Sequence, residues 1–466
     1  MSKIPIFIGR FEEQELLKKR WRSGDSELVV LYGRRRVGKT ELLRHFSKSK
    51  RSLFAVGTRS SSRSQVRHFI TELSHLTDES DLANLPIHDW DTALGRFNAI
   101  LRKTRGKTLL VLDEFQWMVE ASPELPSLLQ KWWDQYWSRE GRLFLVLCGS
   151  YLGFMEREVL AQKSPLFGRR TAVIHLQPLP FHESRQFHSR LPLKEQVKRH
   201  FICGGIPAYH KFFSSRESLP QQIIASFLES DAPLAKEADF LLMEELKEPK
   251  IYFSLLETLG SSRKGVSELA ASLGVERSRI PYYTKSLMEL QYLEKRIPRL
   301  TYQESYERKS VYAIGDPLLK FWFTFIYPHT SLIERADPRV FYATVLAPQL
   351  DAYWGNSFES LAAELFLTKS LLPKLSEPFK MGSYWDKNIQ VDFTLALKSG
   401  LSYLGESKWG RINEKMARTF CQKLTYFKGK VSYQPVLISA ETLPASLKKS
   451  SDWQAYSLQE LIATDR

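Results

Sequence analysis

Leu28-Val29-Val30-Leu31-Tyr32-Gly33-Arg34-Arg35-Arg36-Val37-Gly38-Lys39-Thr40-Glu41-Leu42-Leu43 is the stretch that orders the rest of the chain. Leu28–Tyr32 is a short apolar run that predicts a buried strand, and Glu41–Phe46 opens an amphipathic helix. Between them, Gly33–Thr40 satisfies G-x-x-x-x-G-K-[ST] at every defined position, in the strand–loop–helix setting that this motif requires. The glycines let the backbone wrap an oxyanion so that its N–H groups point inward, and the helix N-terminus adds its positive dipole end. Gly33, Arg34, Arg35, Arg36, Val37, Gly38, Lys39 and Thr40 are therefore the candidate cradle for the phosphates of ATP. Lys39 would reach the β/γ-phosphates, and the Thr40 hydroxyl would ligate Mg²⁺.

A second element belongs with the loop. Thr108–Asp113 is an apolar strand that runs into two carboxylates. Asp113 is the candidate for the Mg²⁺ shell, and Glu114 for orienting and deprotonating the attacking water. Leu143–Cys148 is another strand, followed by Gly149 and Ser150. Ser150 is placed to sense a γ-phosphate from between the two phosphate-contacting strands, or simply to cap the next helix. Arg169, in Gly168-Arg169-Arg170, is a candidate charge-stabilising arginine, acting in cis or on a neighbouring subunit of a homo-oligomer. With Leu53–Thr58 and Ala172–Leu176, apolar runs alternate with helical stretches from residue 28 to about 176, which predicts a parallel sheet covered on both faces.

Gly9-Arg10, YGRRRVGKTELL, VLDEFQW, CGS, SPLFGRRT and GGIPAY together resemble the archaeal-type ATPase family of the AAA+/STAND-like branch of P-loop NTPases. The resemblance covers about residues 4–240. It implies an α/β ATPase core over residues 1–180, a helical lid over 181–246, and Arg10 close to the nucleotide base.

Residues 247–345 read differently. Ile251–Leu259, Val266–Leu273 and Ser278–Leu290 are three short helices, followed by Tyr292–Arg296 as a strand. That is the layout of a winged helix-turn-helix, with the aromatic segment Phe321–Phe325 as a connector behind it. Arg277, Ser278, Arg279, Tyr282, Tyr283 and Lys285 fall on the third helix, where basic and hydroxyl side chains suit contacts to DNA. Packing of this unit on a neighbouring domain is the competing reading.

Over 346–466 the chain sets up a third constellation. Ile389–Leu397 alternates apolar and polar residues, Lys398-Ser399-Gly400 is a three-residue hairpin loop, and Leu401–Trp409 returns. If Leu397 pairs with Leu401, Asp392 comes opposite Glu406, with Lys408 on the same face. Two carboxylates that close repel unless a cation lies between them. Asp-x13-Glu-x-Lys on a hairpin resembles the PD-(D/E)XK nuclease superfamily, although Val391 stands where proline is usual. The resemblance implies an α/β restriction-endonuclease-like domain, with Glu359 on the preceding helix completing a Mg²⁺ site and Gln422 and Tyr426 matching its Gln-x-x-x-Tyr element.

Composition bounds the rest. The 466 residues carry a net charge of +15, which favours polyanionic partners such as DNA. No apolar run is long enough to cross a bilayer, no signal peptide is legible, and a cytoplasmic location without membrane contact is expected. Cys148, Cys203 and Cys421 are far apart and form no CxxC, which argues against a disulfide framework or zinc site. The expected protein is a multidomain α/β ATPase in which the P-loop core controls a Mg²⁺-dependent nuclease on DNA. The alternative is a signal-transduction ATPase that binds DNA or protein and keeps a non-cleaving nuclease fold for docking.

Overall fold

A computed structural model describes residues 7–463, apart from 78–81, 83, 214–216, 247, 261, 305 and 372–374. Residues 1–6, where no signal peptide was legible, lie outside the described residues. The chain divides into two compact units. One runs to Ser184 and includes Gly205–Ala208; the other comprises Arg185–Gly204 and the chain from Tyr209 onward.

The first unit is built on β1 (Glu27–Tyr32), β2 (Ser52–Val56), β3 (Thr108–Asp113), β4 (Leu143–Gly149) and β5 (Ala172–His175). All pairings are parallel, in the order β2-β3-β4-β1-β5. β1, β3 and β4 are buried along their whole length, as strands covered by helices on both faces must be. Because β4 lies between β1 and β3, the residues that follow these three strands emerge at one edge of the sheet. That edge is where open parallel sheets bind ligands.

In the second unit, helices Pro249–Gly260, Val266–Leu273 and Ile280–Glu289 precede an antiparallel pair, β6 (Leu293–Arg296) and β7 (Val311–Ile314). Two expectations need correction. Arg277–Arg279 form a separate 3₁₀ turn ahead of the third helix, which starts at Ile280 with Pro281 in its first turn, where a missing N–H costs nothing. Tyr283 faces inward: it is buried against Tyr252 at 5.4 Å between ring centroids, and its hydroxyl accepts from Arg279. Tyr283 is thus a core residue, whereas Arg277, Ser278, Arg279, Tyr282 and Lys285 are exposed.

The link between β6 and β7 is also not a free wing. Arg299 N donates to Ser383 O at 2.9 Å, and the hydroxyls of Thr394 and Ser402 donate to the carbonyls of Arg299 and Leu300, both at 2.7 Å. Leu300 itself is buried in the same apolar cluster as Val391, Leu404 and Phe420. The link is therefore packed onto the C-terminal sheet of its own unit. Among the described residues that sheet has five strands: β8 (Phe379–Trp385), β9 (Gln390–Leu397), β10 (Leu401–Lys408), β11 (Ser432–Ser439) and β12 (Gln454–Ser457). The order is β12-β11-β10-β9-β8, antiparallel across β8–β9–β10 and parallel across β10–β11–β12.

A buried histidine pair ties the second unit together near Gly204. His210 Nε2 lies 2.9 Å from Gly204 O, which can only accept, so Nε2 carries the proton. His210 Nδ1 then accepts from His188 Nε2, also at 2.9 Å. Both rings are neutral in this arrangement. Burial pushes the His188 pKa down to about 3, helped by the neighbouring His210 and Arg199, and burial pushes His210 down to about 4.

Candidate functional site

The P-loop takes the shape its glycines permit. Gly38 has φ 97°, a region that costs an L side chain energy. A Cβ on Gly33 would lie 2.4 Å from Leu176 O, so no larger residue fits there. The helix Lys39–Ser47 starts directly after Gly38. Lys39 is buried; its Nζ donates to Gly33 O at 2.8 Å and to Arg34 O at 3.0 Å, arching the side chain over the loop.

The residues expected around the loop are brought together. Thr40 Oγ1 donates to Asp113 Oδ2 at 2.6 Å, and Asp113 Oδ1 accepts from Glu114 N at 2.9 Å. Hydroxyl and carboxylate side by side are the hard oxygen ligands that Mg²⁺ takes when it also holds phosphate oxygens, so the pair fits that ion. Ser150 Oγ donates to Glu114 Oε2 at 2.6 Å, across from β4 to the end of β3. Arg10 is buried and anchors the cradle from outside: its guanidinium donates to Val37 O at 2.9 Å and to Gln177 O at 2.6 Å, while its N donates to Glu183. Burial lowers its pKa, with Glu13 and Glu183 opposing. Among the described residues, three of the five non-glycine residues with positive φ, Arg10, Arg36 and Glu114, fall at this site. Such strain collects where function over-determines the backbone.

Arg169, for which a basic surface turn is the competing reading, is engaged within its own turn. Its guanidinium is bidentate on Asp134, at 2.8 and 2.7 Å, and also donates to the carbonyls of Pro165 and Phe167. The bond to Asp134 raises its pKa. In this conformation Arg169 secures a surface turn. Gln116 stands in VLDEFQW, but the sequence assigns it no role; buried two positions after Glu114, it donates to both Glu114 and Ser150. It lies beside the core residues Phe115 and Met118 in a short helix, Phe115–Ala121.

The second constellation, in the C-terminal sheet, has the register expected of it. Ser402 pairs with Ala396 and Gly405 with Phe393, a register in which Asp392 and Glu406 are the next residues along the two strands. Asp392 Oδ2 accepts from the N and Oγ of Ser407, at 2.9 and 3.2 Å. Burial, then the charges of Glu406 and Glu359, push the Asp392 pKa up to about 6. Lys408 Nζ lies 2.8 Å from Glu406 Oε1; burial opposes its charge, but the bond to Glu406 and the charges of Glu406, Asp392 and Glu359 together outweigh that and raise its pKa. Lys423 lies 3.8 Å from the other Glu406 oxygen.

Glu359, on the helix Ala347–Leu365, is bonded by Arg263 at 2.6 Å. Among the described residues, no group of three or more His, Cys, Asp or Glu side chains is placed to hold a metal ion. The carboxylates thus share a neighbourhood, with lysine and arginine as their counter-charges, and the three-acid shell is not assembled in this conformation. Tyr426 is not at the pair either: its hydroxyl, like that of Tyr384, donates to Asp386. Glu359 and Asp392 line a cleft of about 310 Å³ together with Arg296 and Arg299.

Parts of the chain are similar to known proteins. An uncharacterised protein of Methanocaldococcus jannaschii is 27 % identical over 431 residues, 91 % of this chain and 92 % of that one. An uncharacterised ATP-binding protein of the same organism is 45 % identical over 51 residues, 11 % of this chain and 86 % of that protein. A Walker-type ATPase of Pyrococcus abyssi has the same fold over 68 % of this chain and 96 % of its own, with a TM-score of 0.52 and 17 % identity. Residues 322–420 match a family of archaeal and bacterial proteins of unknown function. Residues 7–207 match an ATPase domain found predominantly in Archaea.

Proposed function

We propose that the chain is a DNA-acting ATPase in which nucleotide turnover in the first unit controls a Mg²⁺-dependent nuclease site at Asp392, Glu406 and Lys408. The observation that carries this reading is the hairpin register, which opposes the two acids and adds Lys408 on the same face. In hydrolysis, the loop Gly33–Thr40 holds the triphosphate, Lys39 faces its β/γ-phosphates, and Thr40 and Asp113 hold Mg²⁺. That ion would neutralise charge on the phosphate oxygens. Glu114 accepts the proton of the attacking water, its Oε2 held by the Ser150 hydroxyl, and Arg10 holds the loop wall at Val37. In cleavage, Asp392, Glu406 and Glu359 are the proposed metal ligands, and Lys408 stabilises charge at the attacked phosphate. A cation there would offset the burial and the carboxylate repulsion that raise the Asp392 pKa. Titration with Mn²⁺ in the absence of nucleotide is expected to show one site on the parent protein. Asp392→Asn should bind at least ~10-fold more weakly, about 1.4 kcal/mol. Equal binding by both proteins would remove Asp392 from the shell.

DNA is the proposed partner. Its contact surface is the exposed 3₁₀ turn with Arg277 and Arg279, continued by Tyr282 and Lys285 on the following helix. Each phosphate contact releases counterions, so log K should fall against log salt with a slope of about −0.9 per contact on duplex DNA. Reversing the charge at Arg277 and Arg279 together should flatten that slope by roughly 2. An unchanged slope would place the contact elsewhere. A second copy of the chain is a further proposed partner, with the arginines of Gly168-Arg169-Arg170 able to act across subunits once Arg169 leaves Asp134.

A further inference from the structure

Glu114 is held in an unusual way. Its backbone has φ 50°, and its Oε2 accepts from two buried donors, Ser150 Oγ at 2.6 Å and Gln116 Nε2. The same Gln116 nitrogen lies 3.1 Å from Ser150 Oγ, closing a triangle of three side chains. Glu114 Oε1 takes no hydrogen bond among the described residues. Gln116 is only 2 % exposed, and its own Oε1 is buried without a partner. A buried acceptor left unpaired destabilises the fold, and a methionine of the same shape would avoid that cost. The glutamine is therefore kept at the expense of stability, and its nitrogen is the part that does something.

We propose that Gln116 is a positioning residue for ATP hydrolysis. With Ser150 it clamps Glu114 Oε2, so that Glu114 Oε1 alone faces the attacking water. In that step the water oxygen bonds to the γ-phosphorus and the bond from phosphorus to the β,γ-bridging oxygen breaks. ADP leaves with the electron pair, and the water proton passes to Glu114 Oε1 and on to the phosphate product. Displacing a base by an ångström can cost ~100-fold in rate, which sets the scale of the effect. The inference rests on Glu114 being the group that takes the proton.

The test compares the parent protein with Gln116→Met, Ser150→Ala, the double variant and Glu114→Gln, measuring phosphate release and thermal unfolding. Gln116→Met should lower kcat by ~10–100-fold, leave KM for ATP within ~2-fold, and melt at the parent temperature or above. The double variant should be little slower than the slower single one, because both donors hold one oxygen. If Gln116→Met turns over like the parent while Glu114→Gln is slow, the clamp is overturned and the role of Glu114 stands. If Gln116→Met melts lower and loses kcat and KM together, the glutamine is a structural residue and the proposal fails. If Glu114→Gln matches the parent, both the role of Glu114 and the clamp are wrong.

Discussion

Lys39→Ala is expected to weaken ATP binding by ~10–100-fold or more, because the substitution removes a charge-assisted bond to the phosphates worth ~1.5–3 kcal/mol and the two bonds that arch the loop. Lys39 Nζ touches Gly33 O and Arg34 O, so the loop loses internal support as well as ligand contact. Glu114→Gln should behave oppositely. A carboxamide of the same shape keeps the site intact but cannot take a proton, so affinity is retained and turnover falls by ~10²–10⁴-fold. Calorimetric titration with a non-hydrolysable ATP analogue, paired with phosphate release, separates the two effects. Lys39→Ala protein that hydrolyses ATP like the parent would contradict the assignment of the loop.

The second large effect is acid lability in the unit that contains His188 and His210. Both folded-state pKa values are depressed, to about 3 and about 4, against about 6.5 for an exposed histidine. Below pH 6.5 the unfolded chain therefore takes up protons that the folded unit refuses. Stability is fully present above that pH and is lost as pH falls toward 4. Each ring contributes ~2 kcal/mol between pH 7 and 5, so the pair should cost this unit roughly 4 kcal/mol over that interval. His188→Gln, whose amide can still donate to His210, should remove about half of the slope. Urea unfolding at pH 7, 6 and 5 measures this directly, and a midpoint that does not move would show that the pair is protonated or solvated in the fold.

Much of both sites was legible because their signals are local. The P-loop needs eight consecutive residues, and the order β2-β3-β4-β1-β5 then brings Asp113 and Ser150 to the same edge. The hairpin register followed from a three-residue turn and strict alternation, both short-range properties. What escaped the sequence depends on contacts between distant segments. Gln116 looks like any polar helix residue until β4 delivers Ser150 beside it. Arg263 lies 96 positions from Glu359, and nothing local announces that pair. β11 carries Pro435 within its run, which argues against a strand, yet it pairs along its whole length with β10. The link between β6 and β7 reads as a wing, but Leu300 within it is core for another sheet.

The measurement that bears most directly on the proposed function is DNA cleavage by the whole chain. Single- and double-stranded DNA would be incubated with Mg²⁺ or Mn²⁺, with and without ATP, alongside Asp392→Asn as the matched control. The parent protein is expected to cut DNA in the presence of metal, with a rate that changes when ATP is added. Asp392→Asn should leave the DNA intact while hydrolysing ATP at the parent rate, since that chemistry belongs to the other unit. Parent protein that hydrolyses ATP but leaves both DNA forms uncut in either metal, with or without ATP, would contradict the nuclease reading and leave a signal-transduction ATPase with a docking fold in its place.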